Sequence, residues 1–185
     1  DLAAENKGTA LATIEWGAGR AELLELELGV TDRRIVEATR VADKLGIDCA
    51  LGWPKDFVDF IEQYSANPAG SPETDGGMDW RRRMAYRETD RLVRNVTGRW
   101  PLSVSTDRLG LTAMRCAGLL ARLHEDGVDI DRAGRGRIVE VYPAASLRTW
   151  GLHVAGYRTE PAARVKLIGA ISATAPWLHF GDFVN

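Results

Sequence analysis

Two aspartates at the ends of predicted strands carry the clearest potential for chemistry. Asp48 closes a short apolar segment over residues 44–48, and Asp1 lies in residues 1–4, which read as the tail of an earlier strand. If the two strands are parallel neighbours, both side chains emerge at one edge of the sheet. Such a pair of carboxylates normally binds a divalent cation, and oxygen ligands favour Mg²⁺ or Mn²⁺. The alternative is that Asp48 caps the next helix and Asp1 is a frayed terminus.

A third carboxylate, Glu140, stands inside an apolar strand predicted over residues 138–142. Burying a lone carboxylate costs several kcal/mol or more, so it needs a partner. Glu140 therefore either pairs with an arginine, with Arg87 the first choice, or ligates a metal, or faces solvent from an edge strand.

Arginines on one face of the helix predicted over residues 81–96 suggest an anion site. Arg87, Arg91 and Arg94 are spaced i, i+4 and i+7, so they share a face that suits a phosphate-bearing ligand or an acidic partner. Two alternatives stay open. The face is solvated and tied to Glu88 and Asp90, or Arg87 and Asp90, one turn apart, serve a buried polar network.

The two cysteines, Cys49 and Cys116, are 67 positions apart in apolar surroundings and form no CxxC motif. Buried free thiols are the default interpretation of such a pattern. We therefore expect a reducing compartment, the cytoplasm.

The elements that must position these residues begin with a meander. Alternating apolar and polar residues predict strands over 9–16 and 24–28, joined by a hairpin turn at 17–19, after the strand tail at 1–4. A helix follows from residue 31 or 32. The segment 44–48 then reads as a strand that pairs in parallel with the first through a right-handed crossover.

A long helical section separates this strand from the next. Between Asp48 and Arg137 lie 88 residues, far more than a simple crossover requires. We predict a helical insertion over about 55–135, covering the carboxyl ends of the strands, where open α/β sheets hold their active sites. Within it, Pro and Gly at 65–77 predict a loop.

Composition limits the function classes. The chain has 185 residues, 45% hydrophobic and 27% charged, with a net charge of −2, which fits one globular domain over 1–185 and argues against a globally basic nucleic-acid binder. Its longest apolar runs are far below the roughly 20 residues of a membrane span. The chain starts with Asp rather than Met and lacks a closing helix signal, so we expect both ends to be incomplete.

Four motifs in order resemble the DUF429 family, which is described as predicted nucleases of the ribonuclease H-like fold. They are Asp1-Leu2-Ala3-Ala4 with Gly8-Thr9-Ala10, Ile47-Asp48-Cys49-Ala50-Leu51-Gly52-Trp53-Pro54, Arg87-Glu88-Thr89-Asp90, and Glu140-Val141-Tyr142-Pro143-Ala144-Ala145. The chain differs at Ala50, where the family usually has proline. It also lacks the Asp-Ala-rich closing helix that supplies a further acidic residue in the family.

The resemblance implies an α/β fold with a mixed five-stranded sheet, order 3-2-1-4-5, and the helical insertion between strands 4 and 5. It makes Asp1 and Asp48 neighbours that hold Mg²⁺ or Mn²⁺, with Glu140 as a third catalytic residue. The substrate phosphate would be bound by four residues: Arg87, Arg91, Asp90 and Tyr142.

The function implied is metal-dependent hydrolysis of phosphodiester bonds in nucleic acid, with no membrane partner. A non-catalytic binding or regulatory module of the same fold is the first alternative, because fold does not fix function. A phosphohydrolase of small molecules is the second.

Overall fold

The structure is a computed structural model that describes residues 1–70 and 76–184. Within these residues the protein is a mixed α/β chain with seven helices, a three-stranded mixed sheet and a separate parallel strand pair. The chain divides into two compact units, a first unit of Asp1–Val41 with Tyr142–Asn185 and a second unit of Ala42–Val141.

The helices and strands are divided evenly between the two units. The first unit holds β1 (Ala10–Gly17), β2 (Arg20–Leu28), α1 (Asp32–Val41), α6 (Pro143–Thr149), α7 (Pro161–Thr174) and β5 (Leu178–His179). The second unit holds β3 (Leu45–Ile47), α2 (Lys55–Ala66), α3 (Gly77–Ala85), α4 (Glu88–Thr97), α5 (Gly110–Glu125) and β4 (Ile138–Glu140).

The predicted hairpin is confirmed. β1 and β2 pair antiparallel around a two-residue turn in which Ala18 and Gly19 have φ of 50° and 80°. Positive φ at both central residues gives a turn whose twist matches that of the flanking strands. The ladder has one irregularity, between Thr13 and Ile14.

The third strand of this sheet differs from the predicted one. β5 pairs in parallel with β2 at Ala21 and Glu22, so the sheet order is β1-β2-β5. Residues 1–4, predicted as a strand tail, have no strand structure. Asp1 nevertheless contacts the hairpin, exchanging backbone hydrogen bonds with Ala10 at 3.0 and 3.1 Å.

The second unit is built around the parallel pair β3–β4. Leu45, Gly46 and Ile47 stand opposite Ile138, Val139 and Glu140. β3 and β4, at the positions of the predicted strands 4 and 5, are therefore parallel neighbours, and α2 to α5 lie between them in the chain. The fully buried residues of this unit include Leu119, Leu123, Ile138, Cys116 and Ser103.

The single five-stranded sheet of order 3-2-1-4-5 is not shown. Among the described residues the strands form a sheet of three and a pair, and no strand precedes β1 to join them. The physical reason is local: residues 1–4 are followed by a short 3₁₀ turn at Asn6–Gly8 and supply too few backbone partners for a ladder.

The insertion differs from the prediction in its details. The arginine-rich helix predicted over 81–96 is divided into α3 and α4, because the chain becomes extended at Tyr86 and Arg87. Of the loop predicted over 65–77, residues 71–75 lie outside the described part of the chain. Throughout that described part, no helix combines the length and the apolar composition that a bilayer span requires.

Candidate functional site

The start of α4 brings an arginine and a carboxylate together. Arg87 lies just before the helix in extended backbone, and Asp90 lies in its first turn. The Asp90 carboxylate accepts a hydrogen bond from the Arg87 backbone N–H at 2.8 Å. A carboxylate at this position satisfies a backbone donor that has no helical partner and suits the positive end of the helix. The i, i+3 spacing of these residues is therefore that of a helix start.

The Arg87 side chain joins this helix start to β4. Its Nε and Nη2 donate to Asp90 at 3.1 and 2.9 Å. Its Nη1 and Nη2 donate to the two carboxylate oxygens of Glu140 at 2.8 and 2.7 Å. We call Arg87, Asp90 and Glu140 the arginine clasp. A single guanidinium thus makes a forked contact with each of two carboxylates, which is its strongest pairing geometry.

The arginine clasp is largely removed from water. The side chains of Arg87, Asp90 and Glu140 are 16%, 5% and 26% exposed. Burial alone would lower the pKa of Arg87, but the hydrogen bonds to Glu140 and Asp90 outweigh it, so the pKa lies above its ordinary value. Arg87 is therefore charged at every physiological pH, and two negative charges surround one positive charge.

Glu140 also accepts a hydrogen bond from the loop after β3. Ile47 and Glu140 are opposite each other in the parallel ladder, and the backbone N–H of Leu51 donates to Glu140 Oε2 at 3.0 Å. This confirms the alternative in which Glu140 pairs with Arg87. The catalytic role of Glu140 stays a prediction, and it would require the carboxylate to leave these partners.

The phosphate-binding roles predicted for Arg87 and Asp90 also stay predictions. Four of the five N–H groups of a guanidinium are used within the clasp, so phosphate at Arg87 would have to displace a carboxylate. Arg91, one turn further along α4, donates to Glu88 at 3.5 Å and to the Tyr86 backbone carbonyl at 3.3 Å.

The predicted metal ligands lie in different units. Asp48 directly follows β3 in the second unit and is half-buried, whereas Asp1 is exposed in the first unit. Tyr142 also belongs to the first unit, where its backbone carbonyl accepts a hydrogen bond from Ser146 Oγ at 3.3 Å. The proximity of Asp1 and Asp48 therefore stays a prediction.

The described residues contain no preformed metal-binding group. In residues 1–70 and 76–184, no group of three or more His, Cys, Asp or Glu side chains is arranged to hold an ion. Glu140, the third predicted donor, has both oxygens occupied by Arg87. No catalytic step through Mg²⁺ or Mn²⁺ follows from this geometry.

The two cysteines, which the sequence indicated only as separate buried thiols, are brought together, because Ala50, next to Cys49, and Ala113, one turn before Cys116, pack in one buried cluster. The hydrogen bond from Cys116 lowers the pKa of Cys49, and burial and the charges of Glu140 and Asp48 oppose this shift. The pKa of Cys116 is raised by the same hydrogen bond and by burial. Spacing in the sequence gave no sign of this contact.

A stacked pair of a half-buried tyrosine and an exposed tryptophan is the second feature that sequence reasoning missed. Tyr86 and Trp100 stack with ring centroids 4.1 Å apart and an angle of 21° between their planes. The Arg94 guanidinium carbon lies 5.9 Å from the centroid of Trp100, and 44% of Trp100 is exposed. The sequence held one indication of this pair, which is that Trp100 directly follows Arg99 in an arginine-rich stretch.

These features define a mixed α/β protein whose helical insertion is held by a buried arginine–carboxylate clasp. The family model described as "Protein of unknown function (DUF429)" matches residues 1–181. The chain belongs to the DUF429 family, as its four motifs indicated. No curated protein and no solved structure matches it.

Proposed function

We propose that this protein binds single-stranded nucleic acid through the arginine-rich segment, residues 81–122 of the second unit. The observation that carries the proposal is the exposed Trp100, stacked on Tyr86 with Arg94 beside it. Aromatic faces combined with arginine are the usual means of holding unpaired bases and their phosphates.

The charge of this segment supports the proposal. It contains ten arginines, no lysine and only three acidic residues, a net charge of +7, whereas the rest of the chain has a net charge of −9. A positively charged segment of this kind attracts a polyanion even when the whole protein is slightly acidic. Arginine rather than lysine also favours forked contacts with phosphate and stacking on bases.

In this proposal the residues have different tasks. The clasp fixes the start of α4 against β4, and this holds the helix that carries Arg91 and Arg94. Tyr86 supports one face of Trp100, and the exposed part of the indole is available to a base. Arg87 therefore acts as a positioning residue in this proposal and does not touch the nucleic acid.

The test is fluorescence anisotropy with a labelled single-stranded oligonucleotide at low salt. Loss of one stacked base costs about 1–3 kcal/mol, so Trp100→Ala should weaken binding about fivefold or more. Trp150→Ala is the matched control, because Trp150 is 63% exposed in the first unit, outside the segment. Thermal melts must show that both variants are folded.

Equal affinities for Trp100→Ala and Trp150→Ala would refute the proposal. A second pair of variants, Arg94→Gln and Arg33→Gln, tests the charge, since Arg33 is an 88% exposed arginine on α1. Only Arg94→Gln should weaken binding. Polyglutamate serves as a competitor: if it displaces the oligonucleotide as well as unlabelled nucleic acid does, the surface recognises negative charge alone and an acidic protein becomes its partner.

A second candidate function is the hydrolysis of phosphodiester bonds in nucleic acid on a ribonuclease H-like five-stranded sheet, with Mg²⁺ or Mn²⁺ at Asp1 and Asp48. It is favoured by one observation: Asp48 follows β3 directly, and β3 is paired in parallel with β4, so Asp48 stands at the carboxyl edge of a parallel pair. The described residues supply no complete ligand set, so this function would need further donors.

Thermal shift with millimolar Mn²⁺ distinguishes the second candidate from the first. Stabilisation of the wild type that is lost in Asp48→Asn would support it, since a ligand of the native state alone raises stability. Asp43→Asn, an exposed aspartate before β3, is the control. If Mn²⁺ does not raise the melting temperature of the wild type, the metal-dependent candidate is refuted. The proposal of nucleic-acid binding is unaffected by that result.

A further inference from the structure

The two cysteines of the chain meet although 67 positions separate them. Cys49 lies in the bend that follows β3, and Cys116 lies in α5. Ala50, next to Cys49, packs with Ala113, one turn before Cys116, in one buried cluster, so the loop after β3 carries Cys49 to α5. Each thiol shifts the pKa of the other, and both belong to the second unit. Both are free thiols. Two neighbouring thiols can be oxidised together to a disulfide, which neither cysteine can form alone.

The two thiols differ in access to solvent. Cys116 is fully buried, at 0% exposure, beside Ala113 on the inner face of α5. Cys49 is half-buried, and its Sγ lies 3.6 Å from the carbonyl oxygen of the next residue, Ala50. A small reagent from solvent therefore reaches Cys49 first, and Cys116 can react only with what forms on Cys49.

The backbone around Cys49 permits the approach of the two sulfur atoms. A disulfide requires a sulfur–sulfur bond of about 2.05 Å, shorter than any non-bonded contact between two free thiols, so one side must move. Cys116 is fixed in the middle of α5. Residues 48–54 form bends and irregular structure between β3 and α2, so this side can close the remaining distance without unwinding a helix.

We propose that Cys49 and Cys116 form a peroxide-reactive site, with Cys49 as the attacking thiol and Cys116 as the resolving thiol. In the first step the Cys49 sulfur loses its proton to water and attacks one oxygen of a hydroperoxide. The oxygen–oxygen bond breaks, Cys49 becomes a sulfenic acid, and the other oxygen leaves as water or an alcohol.

In the second step the Cys116 sulfur attacks the sulfur of the sulfenic acid. The sulfur–oxygen bond breaks, the hydroxyl leaves as water with the proton of Cys116, and a disulfide remains. Both thiols are oxidised together by two electrons, and the peroxide is reduced. A thiol reductant that restores both cysteines returns the protein to its first state.

The disulfide would tie the loop after β3 to α5 next to the arginine clasp. Leu51, two residues after Cys49, donates its N–H to Glu140, and Glu140 holds Arg87. Oxidation would therefore act on the residues that fix the start of α4. The site does not depend on the proposed nucleic-acid binding, since it requires only the two sulfur atoms and a hydroperoxide.

The experiment treats the full chain with a small excess of hydrogen peroxide and follows it by intact mass, thiol titration and peptide mapping without reductant. We expect a loss of two hydrogen masses, both free thiols consumed, and one intramolecular peptide pair containing Cys49 and Cys116, all reversed by dithiothreitol. The same treatment in denaturing urea should lose this selectivity, because the contact exists only in the folded chain.

Two variants assign the roles. Cys116→Ser should stop at the sulfenic acid, which dimedone captures on Cys49, while Cys49→Ser should leave Cys116 unmodified at the same peroxide dose. If Cys49→Ser does not fold, Cys49→Ala gives the same measurement. Overoxidation of the wild type to sulfinic acid, a disulfide between two chains, or faster labelling of Cys116 than of Cys49 would each overturn the proposal.

Discussion

Arg87 shows how one side chain can hold two elements together. Its backbone N–H and guanidinium both bind Asp90, and the same guanidinium binds Glu140, 53 positions further along the chain. Either carboxylate without its arginine would be a buried, uncompensated charge. The stability of the second unit should therefore depend on Arg87 far more than on the other arginines of α4.

The first prediction compares Arg87→Ala with Arg91→Ala. Removing one partner of a buried ion pair costs about 3–5 kcal/mol, so Arg87→Ala should lower the free energy of unfolding by about 3 kcal/mol or prevent folding. Arg91 makes a long, 3.5 Å contact with the 89% exposed Glu88, so Arg91→Ala should cost less than about 1 kcal/mol. Urea denaturation measures both.

Arg87→Lys provides a further check. A lysine keeps the positive charge but cannot make the two forked contacts, so it should recover only part of the lost stability. Full recovery by lysine would mean that charge alone, and not the forked geometry, holds the clasp. Equal losses for Arg87→Ala and Arg91→Ala would contradict the structural role of Arg87.

At the scale of elements, a buried serine connects the end of α3 to the turn before α5. Ser103 is 0% exposed, and its hydroxyl donates to the Ala85 carbonyl at 2.6 Å. The same oxygen accepts hydrogen bonds from the backbone N–H groups of Ser105 and Thr106 at 3.1 and 3.0 Å. Three backbone groups thus depend on one side chain.

The second prediction uses this serine and its neighbour. Ser103→Ala leaves buried donors and an acceptor without partners, at about 1–3 kcal/mol, so it should lower the free energy of unfolding by about 2 kcal/mol. Ser105 is a matched control, because its buried hydroxyl oxygen has no hydrogen-bond partner. Ser105→Ala should be neutral or stabilising, and a larger loss for Ser105→Ala in thermal melts would reject this interpretation of the turn.

The third prediction concerns the hairpin. Gly19 has φ of 80°, a left-handed conformation that costs a residue with a Cβ about 1–2 kcal/mol. Gly19→Ala should therefore destabilise the first unit by about 1 kcal/mol. Gly17 has ordinary φ and open space around it, so Gly17→Ala should change stability by less than half as much. Calorimetric melting of both variants checks the turn geometry.

At the scale of the whole molecule, the two units differ in how the chain builds them. The second unit is one continuous stretch whose ends are close, because β3 and β4 near its two termini pair with each other. The first unit is assembled from two distant segments, and its sheet takes β1 and β2 from one and β5 from the other.

The fourth prediction follows from this difference. A fragment of residues 42–141 should fold alone, with helical circular dichroism and a cooperative urea transition, because its core residues Leu119, Leu123 and Ile138 all lie within it. A fragment of residues 1–41 should not, because a hairpin without its third strand is at best marginally stable. An unstructured 42–141 fragment would contradict the independence of the second unit.

Local signals in the sequence determined many of the elements. Alternation and the turn residues at 17–19 predicted β1 and β2, and the apolar segments at 44–48 and 138–142 predicted β3 and β4, because these patterns reflect which face of a strand is buried. An insertion between β3 and β4 followed from chain length alone. The glutamate in the apolar strand required a partner, and its pairing with Arg87 could be chosen before the structure was known.

The remaining contacts depend on tertiary packing. The pairing of β5 with β2 rests on two residues, too few for any pattern to reveal. The contact of Cys49 with Cys116 and the stacking of Tyr86 on Trp100 join positions whose separation carries no periodic signal. Periodicity reports whether a residue faces the core, and it cannot report which distant residue it meets there. That choice is made by the packing of whole helices and strands against one another.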